Sequence, residues 1–504
     1  MGQARLSPSA RLSTFARWNR WAAFAVVALF GLALRLPQLG ARPMHTDEAV
    51  NAYIVGELLG GQKYTYDPRD RHGPALAALA LPLVRLQGAK AFSDLTESQL
   101  RLTTVLAGTV TILLFGAAVE MFGFVPCLIA ALLFACAPIT AYYDRYFIHE
   151  SLFVAATFGL VLCGWYACTQ RSAKLAALAA VCAAVMLACK ETAVLHFAAL
   201  AVAALLYWLW NLRRGSLRGL WRPWTLLTAV VVFLLLSAVL FTWFGTNWGA
   251  LDALGHAAPN FAMRARGEGH AQPFWYYAHL LAGGRSGALI CAMACIGLLQ
   301  AVREREASPF ALLAYYAVIV FVLYSAIPYK TPWLALNFWL PIALLAGLAA
   351  ASLWQAPVKH SAVRAALRAS CLVAAVVAAV LIAHDTRQRV FLHPASEDNP
   401  YAYAHTSEDL LGLPTLLAEM AHQEGLASPR IAVIAADPWP LPWYLRQYAQ
   451  VGYWQPGQTV GQADFYITST DAANQYANQL KNFHADFFGE RPGVLLLLWS
   501  HASE

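Results

Sequence analysis

The sequence predicts an α-helical, multi-pass membrane protein that ends in a small α/β domain. Hydrophobic residues make up 59% of the 504 residues and charged residues 12%, and the mean hydropathy is +0.50. This small polar fraction cannot cover the surface of a water-soluble globule of this size. Most of the chain must therefore face lipid. All nine Cys lie in apolar stretches, and no disulfide framework or zinc cluster is indicated.

Charge divides the chain into two parts. From residue 390 onward there are 4 Lys and Arg against 12 Asp and Glu, a net charge of −8, whereas the preceding residues carry +15. This contrast implies two different environments. We therefore expect a basic cytoplasmic N-terminus over 1–20, a transmembrane region over 21–386 and an exterior α/β domain over 387–504.

Apolar runs long enough to cross a bilayer recur through the transmembrane region. About 20 residues at about 1.5 Å of rise each cross the hydrocarbon core, and eleven runs approach this length. They lie near residues 21–38, 101–119, 123–141, 150–168, 174–189, 193–211, 224–244, 280–300, 309–327, 333–353 and 370–385. The sequence therefore predicts about eleven transmembrane helices, with a twelfth, shorter apolar run over about 74–88.

Five groups of basic residues separate these runs and predict their orientation. The groups are Arg5, Arg11, Arg17 and Arg20; Arg171 and Lys174; Arg213, Arg214, Arg218 and Arg222; Arg303 and Arg305; and Lys359, Arg364 and Arg368. Because Lys and Arg are enriched in cytoplasmic loops, all five groups are predicted to be cytoplasmic. We expect a protein of the inner, cytoplasmic membrane of the cell, with its N-terminus inside.

The segment 74–88 is predicted to lie flat as an interfacial juxtamembrane helix. Two cytoplasmic groups must be separated by an even number of crossings, yet five apolar runs lie between the first and the second. Pro74, Pro82 and Arg85 make this segment the natural interfacial one. The following polar regions then face outward together with the C-terminal domain: 39–100, 142–149, 190–192, 245–279 and 328–332.

The first outward-facing cluster, His45 to Tyr53, contains the adjacent acids Asp47 and Glu48. A carboxylate at the membrane surface can act as a general base on a hydroxyl or amide, or bind a metal. The alternative is helix capping, with Thr46 as the N-cap and the two acids in the first turn.

The second cluster, Asp70 to Pro74, leads into the flat helix. Arg71 and His72 beside a helix N-terminus suit a phosphate group. An ordinary turn before a proline-initiated helix accounts for the same residues.

The third cluster, Tyr143 to Glu150, lies between two strongly apolar helices. Ionisable residues at such a position are by default functional hypotheses. The alternative is mutual pairing, of Asp144 with Arg145 and of His149 with Glu150, which lowers the cost of burying them.

Two short outward-facing turns each place one lysine at the lipid boundary. They are Lys190-Glu191-Thr192 and Tyr329 to Trp333, which contains Lys330. A compact ammonium group binds phosphate as a point charge, so the pair suits the phosphate of a lipid-linked sugar. The alternative for each lysine is snorkelling to ordinary lipid headgroups.

The C-terminal region alternates short apolar runs with helical patterns, which predicts a small α/β domain. The expected strands are 431–434, 464–468 and 494–499, and the expected helices are 410–422 and 443–448. It has no glycine-rich phosphate loop, so nucleotide binding is not expected. Two aromatic segments, 401–406 and 437–446, either contact a glycan or partner or pack the domain onto the membrane part.

As a set, these motifs resemble those of GT-C-fold glycosyltransferases that use polyprenyl-phosphate sugars, such as protein O-mannosyltransferases and the lipid A aminoarabinose transferase. In that superfamily an Asp-Glu pair follows the first helix, a His/Lys-Pro-Pro-like motif opens a flat helix, and an Arg-Tyr motif with an acid follows in the second exterior loop. Here Asp47-Glu48, His72-Gly73-Pro74 and Arg145-Tyr146 to Glu150 are similar to these motifs.

The resemblance is closer to one subfamily, the flippase-activity-associated proteins of archaeal N-glycosylation. The similar motifs are His45 to Asn51, Tyr329 to Trp333, Tyr401 to Thr406 and Pro440 to Arg446. The resemblance covers essentially the whole chain.

The resemblance implies a catalytic role for Asp47 and Glu48, with Asp47 as the general base that deprotonates the acceptor. The implied donor-phosphate and substrate-binding residues are His72, Arg145, Tyr146, Lys190, Tyr329, Lys330, Trp333 and His405. No cofactor is certain, and a divalent metal held by Asp47, His149 and Glu150 is left open.

The leading hypothesis is a membrane glycosyltransferase that moves a sugar from a polyprenyl-phosphate donor to a lipid, glycan or protein acceptor on the exterior face. Its expected partners are this donor, the acceptor and membrane lipids, with no nucleic acid. One rival is a transporter or flippase-associated protein for lipid-linked sugars that makes no bonds. Another is a scaffold whose C-terminal domain recruits glycan enzymes.

Overall fold

A computed structural model describes residues 14–212, 223–267, 269–303 and 308–501 of this chain. The structure is mainly helical, with a small sheet near the C-terminus. Seven of the basic residues used to predict the orientation lie outside the described residues: Arg5, Arg11, Arg213, Arg214, Arg218, Arg222 and Arg305.

Helices follow one another from the start of the described chain to the sheet. They are α1 (Thr14–Arg35), α2 (Thr46–Leu59), α3 (Ala75–Leu86), α4 (Glu97–Ala117), α5 (Val119–Phe122), α6 (Phe124–Cys136), α7 (Pro138–Tyr143), α8 (Glu150–Gln170), α9 (Ala173–Cys189), α10 (Ala193–Leu212), α11 (Pro223–Phe241), α12 (Ala250–Gly255), α13 (Ala257–Arg264), α14 (Tyr276–Leu281), α15 (Gly284–Arg303), α16 (Pro309–Ala326), α17 (Leu336–Trp354) and α18 (Ser361–Thr386).

Each of the eleven predicted transmembrane runs is occupied by a helix: α1, α4, α6, α8 to α11 and α15 to α18. Within the described residues, eight of these are long and apolar enough to cross a membrane, and α6 and α9 are shorter apolar helices. Helix α17 is the central one, since 89% of its apolar window is buried, against 6% for α18. The prediction of an α-helical, multi-pass fold is therefore confirmed.

Close packing around α17 depends on small residues, as is usual between membrane helices. A Cβ atom added at Gly297 of α15 would lie 1.9 Å from the carbonyl oxygen of Leu345 in α17. The two backbones can approach this closely only because position 297 has no side chain.

Helix α3 is the segment that the sequence predicts to lie flat. Its 12 residues rise only about 18 Å, too little to cross a hydrocarbon core of about 30 Å. Leu76, Ala80 and Val84 are buried against the protein, whereas Leu86 at its end is 84% exposed. Its length and its one-sided burial therefore fit an interfacial helix.

The C-terminal region forms a five-stranded mixed sheet. Its strands are β1 (Arg430–Ile434), β2 (Gln450–Trp454), β3 (Phe465–Ser469), β4 (Phe483–Arg491) and β5 (Val494–His501), in the order β2-β1-β3-β5-β4. Strand β1 pairs in parallel with β2 and β3, and β5 is antiparallel to β3 and β4. The helices are α19 (Leu413–Gln423), α20 (Leu441–Tyr444) and α21 (Thr470–Ala473).

The predicted α/β domain is confirmed, with three differences in its elements. The sequence did not predict β2 or β4. The helix expected over 443–448 is only the single turn of α20, since the chain there leaves helical geometry after Tyr444.

Both aromatic segments of this region pack onto the membrane part. Trp443 is fully buried, and its indole Nε1 donates to Oε1 of Glu97 at 2.8 Å. The Thr406 hydroxyl donates to the carbonyl of Met44 at 2.6 Å, and the Met44 amide donates to the Tyr444 hydroxyl at 2.9 Å. Of the two alternatives for these segments, packing accounts for most of their residues.

Candidate active site

A cavity of about 430 Å³ opens where α2, the segment before α3, the start of α8 and the α9–α10 turn meet. Its walls also include Tyr324 of α16, the turn 327–334 and one residue of the sheet domain, Trp439. Helix α13 and the chain after it contribute Phe261, Arg264, Ala265 and His270. The lining is strongly charged. Its acidic, basic and histidine residues are Asp47, Asp70, Arg71, His72, His149, Glu150, Lys190, Glu191, Arg264 and His270.

Asp47 is a carboxylate of this lining that is free to react. It lies in the first turn of α2, where its backbone amide donates to Nδ1 of His45 at 3.0 Å. His45, rather than the expected Thr46, is therefore the N-cap residue, and Glu48 completes a capping box with it. Within the ranges that the structure describes, the Asp47 carboxylate has no hydrogen bond or ion pair, so it points into the cavity unpaired.

Glu48 has a different role from its neighbour, because its side chain is buried outside the cavity. Nε and Nη2 of Arg101 donate to its two oxygens, each at 2.8 Å, and the amides of His45 and Phe147 also donate to it. Burial by itself would raise the pKa of Glu48, but Arg101 and Arg42 outweigh this effect and lower it to about 2. Glu48 is a fixed anion without a free oxygen.

His72 is held in the wall by Glu191. Its Nδ1 lies 3.1 Å from Oε2 of Glu191, whose Oε1 accepts from the Tyr66 hydroxyl at 2.8 Å. Burial opposes ionisation of Glu191, yet His72 lowers the pKa of this carboxyl to about 2. The His149 ring packs edge-on against His72 at 5.3 Å, and burial together with His72 lowers the pKa of His149 well below its usual range.

Lys190 and Glu150 form a buried ion pair at the cavity wall, in which Nζ donates to Oε1. Lys190 ends α9 in an extended conformation, and Glu150 begins α8, so the two helix ends bring the charges together. The other carboxylate oxygen of Glu150, Oε2, is buried and has no partner among the described residues.

The charged residues of the third cluster, Tyr143 to Glu150, form different ion pairs from those predicted. Asp144 pairs with Arg35 at 2.8 Å, not with Arg145, and Glu150 pairs with Lys190, not with His149. The reason is that residues 144–149 turn between two helices, so that neighbours in sequence point to different sides.

Arg145 does not reach the cavity. Its Nη2 donates to the carbonyl of Gln38 at 2.9 Å, and its guanidinium lies 4.7 Å from the centre of the Phe391 ring. Burial, reinforced by Arg42, lowers the pKa of Arg145 to about 9. The donor-phosphate role implied for this residue by resemblance has no geometric support.

Tyr146 and His405 form a layer behind Asp47. Both rings pack against the ring of His45, at centroid distances of 5.4 Å and 5.6 Å. Trp333 also contacts His45, at 5.6 Å, but is itself part of the cavity lining. Tyr146 and His405 can thus support the N-cap of α2 without contacting a bound substrate.

Lys330 is turned away from the cavity that its neighbour Tyr329 lines. Its Nζ donates to the carbonyl oxygens of Gln272 at 2.9 Å and Ile327 at 2.6 Å. The lysine therefore closes its own turn, and of the two predicted phosphate-binding lysines only Lys190 lies in the lining.

The three residues considered for a metal, Asp47, His149 and Glu150, all line the cavity. In the part of the chain that the structure describes, however, no group of three or more His, Cys, Asp or Glu side chains is placed to hold a metal ion. Glu150 faces Lys190 instead. These residues do not fit a metal centre.

Several lining residues were not predicted as site residues. Arg71, which pairs with Glu57 at 3.0 Å, was considered with His72 for a phosphate group but is not among the residues that the resemblance implies. Arg264 ends the short helix α13 and His270 follows it, in a region whose sequence has no distinctive pattern. Trp439 comes from the sheet domain, far along the chain. Only the folded chain brings these last three to Asp47.

The membrane helices, the short flat helix and the appended sheet domain define the class of this protein: it has the GT-C fold of membrane glycosyltransferases. Residues 81–243 match the family of dolichyl-phosphate-mannose-protein mannosyltransferases. No curated protein sequence matches the chain significantly.

Three solved structures place this fold among known proteins. ArnT from Cupriavidus metallidurans in the apo state is 18% identical, with a TM-score of 0.67 over 96% of this chain and 98% of its own. The archaeal oligosaccharyltransferase AglB from Archaeoglobus fulgidus is 13% identical, with a TM-score of 0.58 over 97% and 75%. The arabinofuranosyltransferase AftD from Mycobacteria is 15% identical, with a TM-score of 0.52 over 96% and 40%.

Proposed function

We propose that this protein is a membrane glycosyltransferase that moves a sugar from a polyprenyl-phosphate donor to a lipid, glycan or protein acceptor. Transfer takes place at the exterior face of the cytoplasmic membrane, where the cavity opens beside the interfacial helix α3. The observation that carries this proposal is Asp47, an unpaired carboxylate in a cavity whose wall also holds Lys190, Arg71 and Arg264.

The likeness to structures with bound carriers supports the choice of donor. ArnT from Cupriavidus metallidurans has been solved with undecaprenyl phosphate, and AglB from Archaeoglobus fulgidus with an inhibitory peptide and a dolichol-phosphate. Both are similar to this chain in fold over more than 95% of its length. A lipid phosphate in the cavity of this protein would lie close to Lys190.

The proposed chemistry is one direct displacement. The acceptor oxygen or nitrogen attacks the anomeric carbon and forms the new glycosidic bond, while the bond from that carbon to the phosphate oxygen breaks. The electron pair leaves with the phosphate, and the acceptor proton passes to the Asp47 carboxylate. Cationic groups stabilise the charge that develops on the phosphate. A single displacement inverts the anomeric configuration.

Asp47 suits this role better than the two glutamates of the cavity wall, Glu150 and Glu191. Both oxygens of Glu191 already have partners, His72 and Tyr66, and although burial opposes its ionisation, His72 lowers the pKa of this carboxyl to about 2. Glu150 is buried and ion-paired with Lys190. Glu48 has no exposed oxygen. Asp47 alone of the pair Asp47-Glu48 can therefore reach an acceptor.

Mass spectrometry of surface glycans in a strain that lacks the gene tests the proposal. We expect a change that wild-type protein reverses and Asp47→Asn does not, because loss of a general base costs roughly 10²–10⁴ in rate. Asp67→Asn is the matched control, since Asp67 is an exposed carboxylate of the same region outside the cavity lining. Full reversal by Asp47→Asn would contradict the proposal and favour transport of lipid-linked sugars without bond formation.

A further inference from the structure

The ion pair of Glu150 with Lys190 places an anion where an anionic ligand is expected to bind. Glu150 is 1% exposed and Lys190 is 9% exposed, yet both reach the lining of the cavity. An ammonium group has three protons to donate, and Glu150 Oε1 is the acceptor that it contacts. The positive charge of Lys190 is therefore already balanced by Glu150 before a phosphate binds.

Glu150 is poorly satisfied for a buried carboxylate. Oε2 has no hydrogen-bond partner among the residues that the structure describes, although a buried anion needs most of its acceptor positions filled. The neighbouring Glu191 is different, since His72 and Tyr66 occupy both of its oxygens. Glu150 is thus the carboxylate whose charge acts directly on Lys190.

The proposed reaction changes the charge of the lipid phosphate beside this pair. A sugar donor is a phosphodiester with one negative charge. Its product, the polyprenyl phosphate, is a monoester whose second ionisation has a pKa near 6, so that it carries close to two charges at neutral pH. A site made only of cations would hold the product more tightly than the donor, which would slow turnover.

We propose that Glu150 competes with the lipid phosphate for Lys190 and thereby weakens the binding of the monoester product more than that of the phosphodiester donor. This inference rests on the proposed function, since it needs a polyprenyl-phosphate ligand. Glu150 acts through Lys190 and is a positioning residue. By pairing with Lys190 it withholds this cation from the ligand, and the attraction that is lost is about twice as large for a ligand with two charges as for a ligand with one.

Binding of two lipids to the purified full-length protein at pH 7.5 tests this. The monoester probe is undecaprenyl phosphate, and the diester probe is dihexadecyl phosphate. Glu150→Gln keeps an amide oxygen for Lys190 but removes the charge. We expect this variant to bind the monoester about tenfold more tightly than the wild type does, a difference of about 1.4 kcal/mol. Its gain in affinity for the diester should be clearly smaller.

Two matched variants separate this effect from a general change in charge. Asp70→Asn removes one negative charge from the same lining without touching Lys190, and should change both affinities by much less than Glu150→Gln does. In a Lys190→Gln background, Glu150→Gln should lose its selective effect on the monoester. An equal gain for both lipids, weaker binding in Glu150→Gln, or an Asp70→Asn effect of the same size would each overturn the inference.

The wild-type protein provides a second measurement that does not depend on the folding of a variant. We expect it to bind the diester at least as tightly as the monoester, despite the lower charge of the diester. A clear preference of the wild type for the monoester would overturn the proposed role of Glu150 but not the proposed function. A wild type that binds neither lipid would contradict the proposed function itself.

Discussion

Arg101 holds Glu48 through two parallel hydrogen bonds of 2.8 Å, with both side chains shielded from solvent. The same guanidinium donates to the carbonyl oxygens of Leu39, Arg42 and Pro43. It thus fixes the chain that leads into α2, in which Asp47 directly precedes Glu48. The pair is a support for the proposed base.

Removing the anion of this pair should destabilise the protein strongly. Glu48→Gln leaves Arg101 charged and buried, and breaking a buried ion pair in this way costs about 3–5 kcal/mol. Thermal unfolding of the purified protein in detergent measures the effect. Glu57→Gln is the control, because its pair with Arg71 is partly exposed and such pairs are worth about 0–1 kcal/mol. Equal losses in both variants would refute this account.

Glu48 should also make stability depend on pH in the acid range. Its pKa of about 2 in the folded protein is below its ordinary value of 4.5, so its ionisation favours the folded state. The contribution is fully present above about pH 4.5 and is lost as pH falls towards 2. The difference in unfolding temperature between wild type and Glu48→Gln should therefore shrink between pH 5 and pH 3. A constant difference would contradict the assignment.

The membrane part of the fold was predictable because lipid imposes one simple rule. A helix that crosses the bilayer must be apolar over its whole length, so all eleven runs could be recognised from composition alone. Strands β2 and β4 obey no such rule. Both lie at the edges of the sheet, β2 contains Gly452, and β4 is interrupted by charged residues, so that pairing with β1 and β5 determines their conformation.

The site was predictable only in part, because sequence order does not tell which way a short loop turns. Asp47, His72 and Lys190 meet in one cavity as expected. The partners of the buried charges are remote, however: Arg35 is 109 residues from Asp144, and Arg101 is 53 residues from Glu48. Nothing in the local pattern indicates these partners, so the sequence alone does not show that Arg145 points away from the cavity.

The two predicted phosphate-binding lysines should behave differently. Lys190→Gln removes the cation of the cavity wall, and we expect the affinity for undecaprenyl phosphate to fall by at least about tenfold. Lys330→Gln instead weakens the hydrogen bonds to Gln272 and Ile327, which should cost about 1–3 kcal/mol of stability without changing affinity in the folded protein. Lipid-binding and unfolding measurements on both variants distinguish these effects. A loss of affinity in Lys330→Gln alone would reverse the assignment.

Glu490 should destabilise the sheet domain at alkaline pH. The residue is 2% exposed on β4, its Oε1 has no partner among the described residues, and burial raises its pKa to about 7, an effect that nearby Arg491 reduces and Asp437 reinforces. Because the folded state holds this proton more tightly than the unfolded state, stability falls as pH rises from about 4.5 to 7.

Glu490→Gln should remove this dependence. We expect the variant to be more stable than wild type at pH 8 by roughly 1–3 kcal/mol, and to differ little at pH 5. Comparing the two proteins at each pH cancels the contribution of the histidines. Glu424→Gln, an exposed carboxylate of the same domain, should show no such pattern. A variant less stable than wild type at pH 8 would contradict the prediction.

Trp443 should determine how firmly the sheet domain is attached to the membrane part. Its ring is fully buried, Nε1 donates to Glu97, and the guanidinium of Arg446 stacks on it at 3.8 Å while donating to the carbonyl of Leu95 at 3.1 Å. Truncation to Ala should cost about 3–5 kcal/mol.

Limited proteolysis of the full-length protein measures this attachment. Trp443→Ala should release a C-terminal fragment faster than wild type, whereas Trp275→Ala, which truncates a ring that is 60% exposed, should not. Trp439 lies four residues before Trp443 and forms part of the cavity wall. A looser domain should therefore also weaken substrate binding, while proton transfer from the acceptor to Asp47 stays intact. A raised KM with an unchanged kcat is therefore expected, and a fall in kcat alone would mean that the sheet domain acts on the reaction itself.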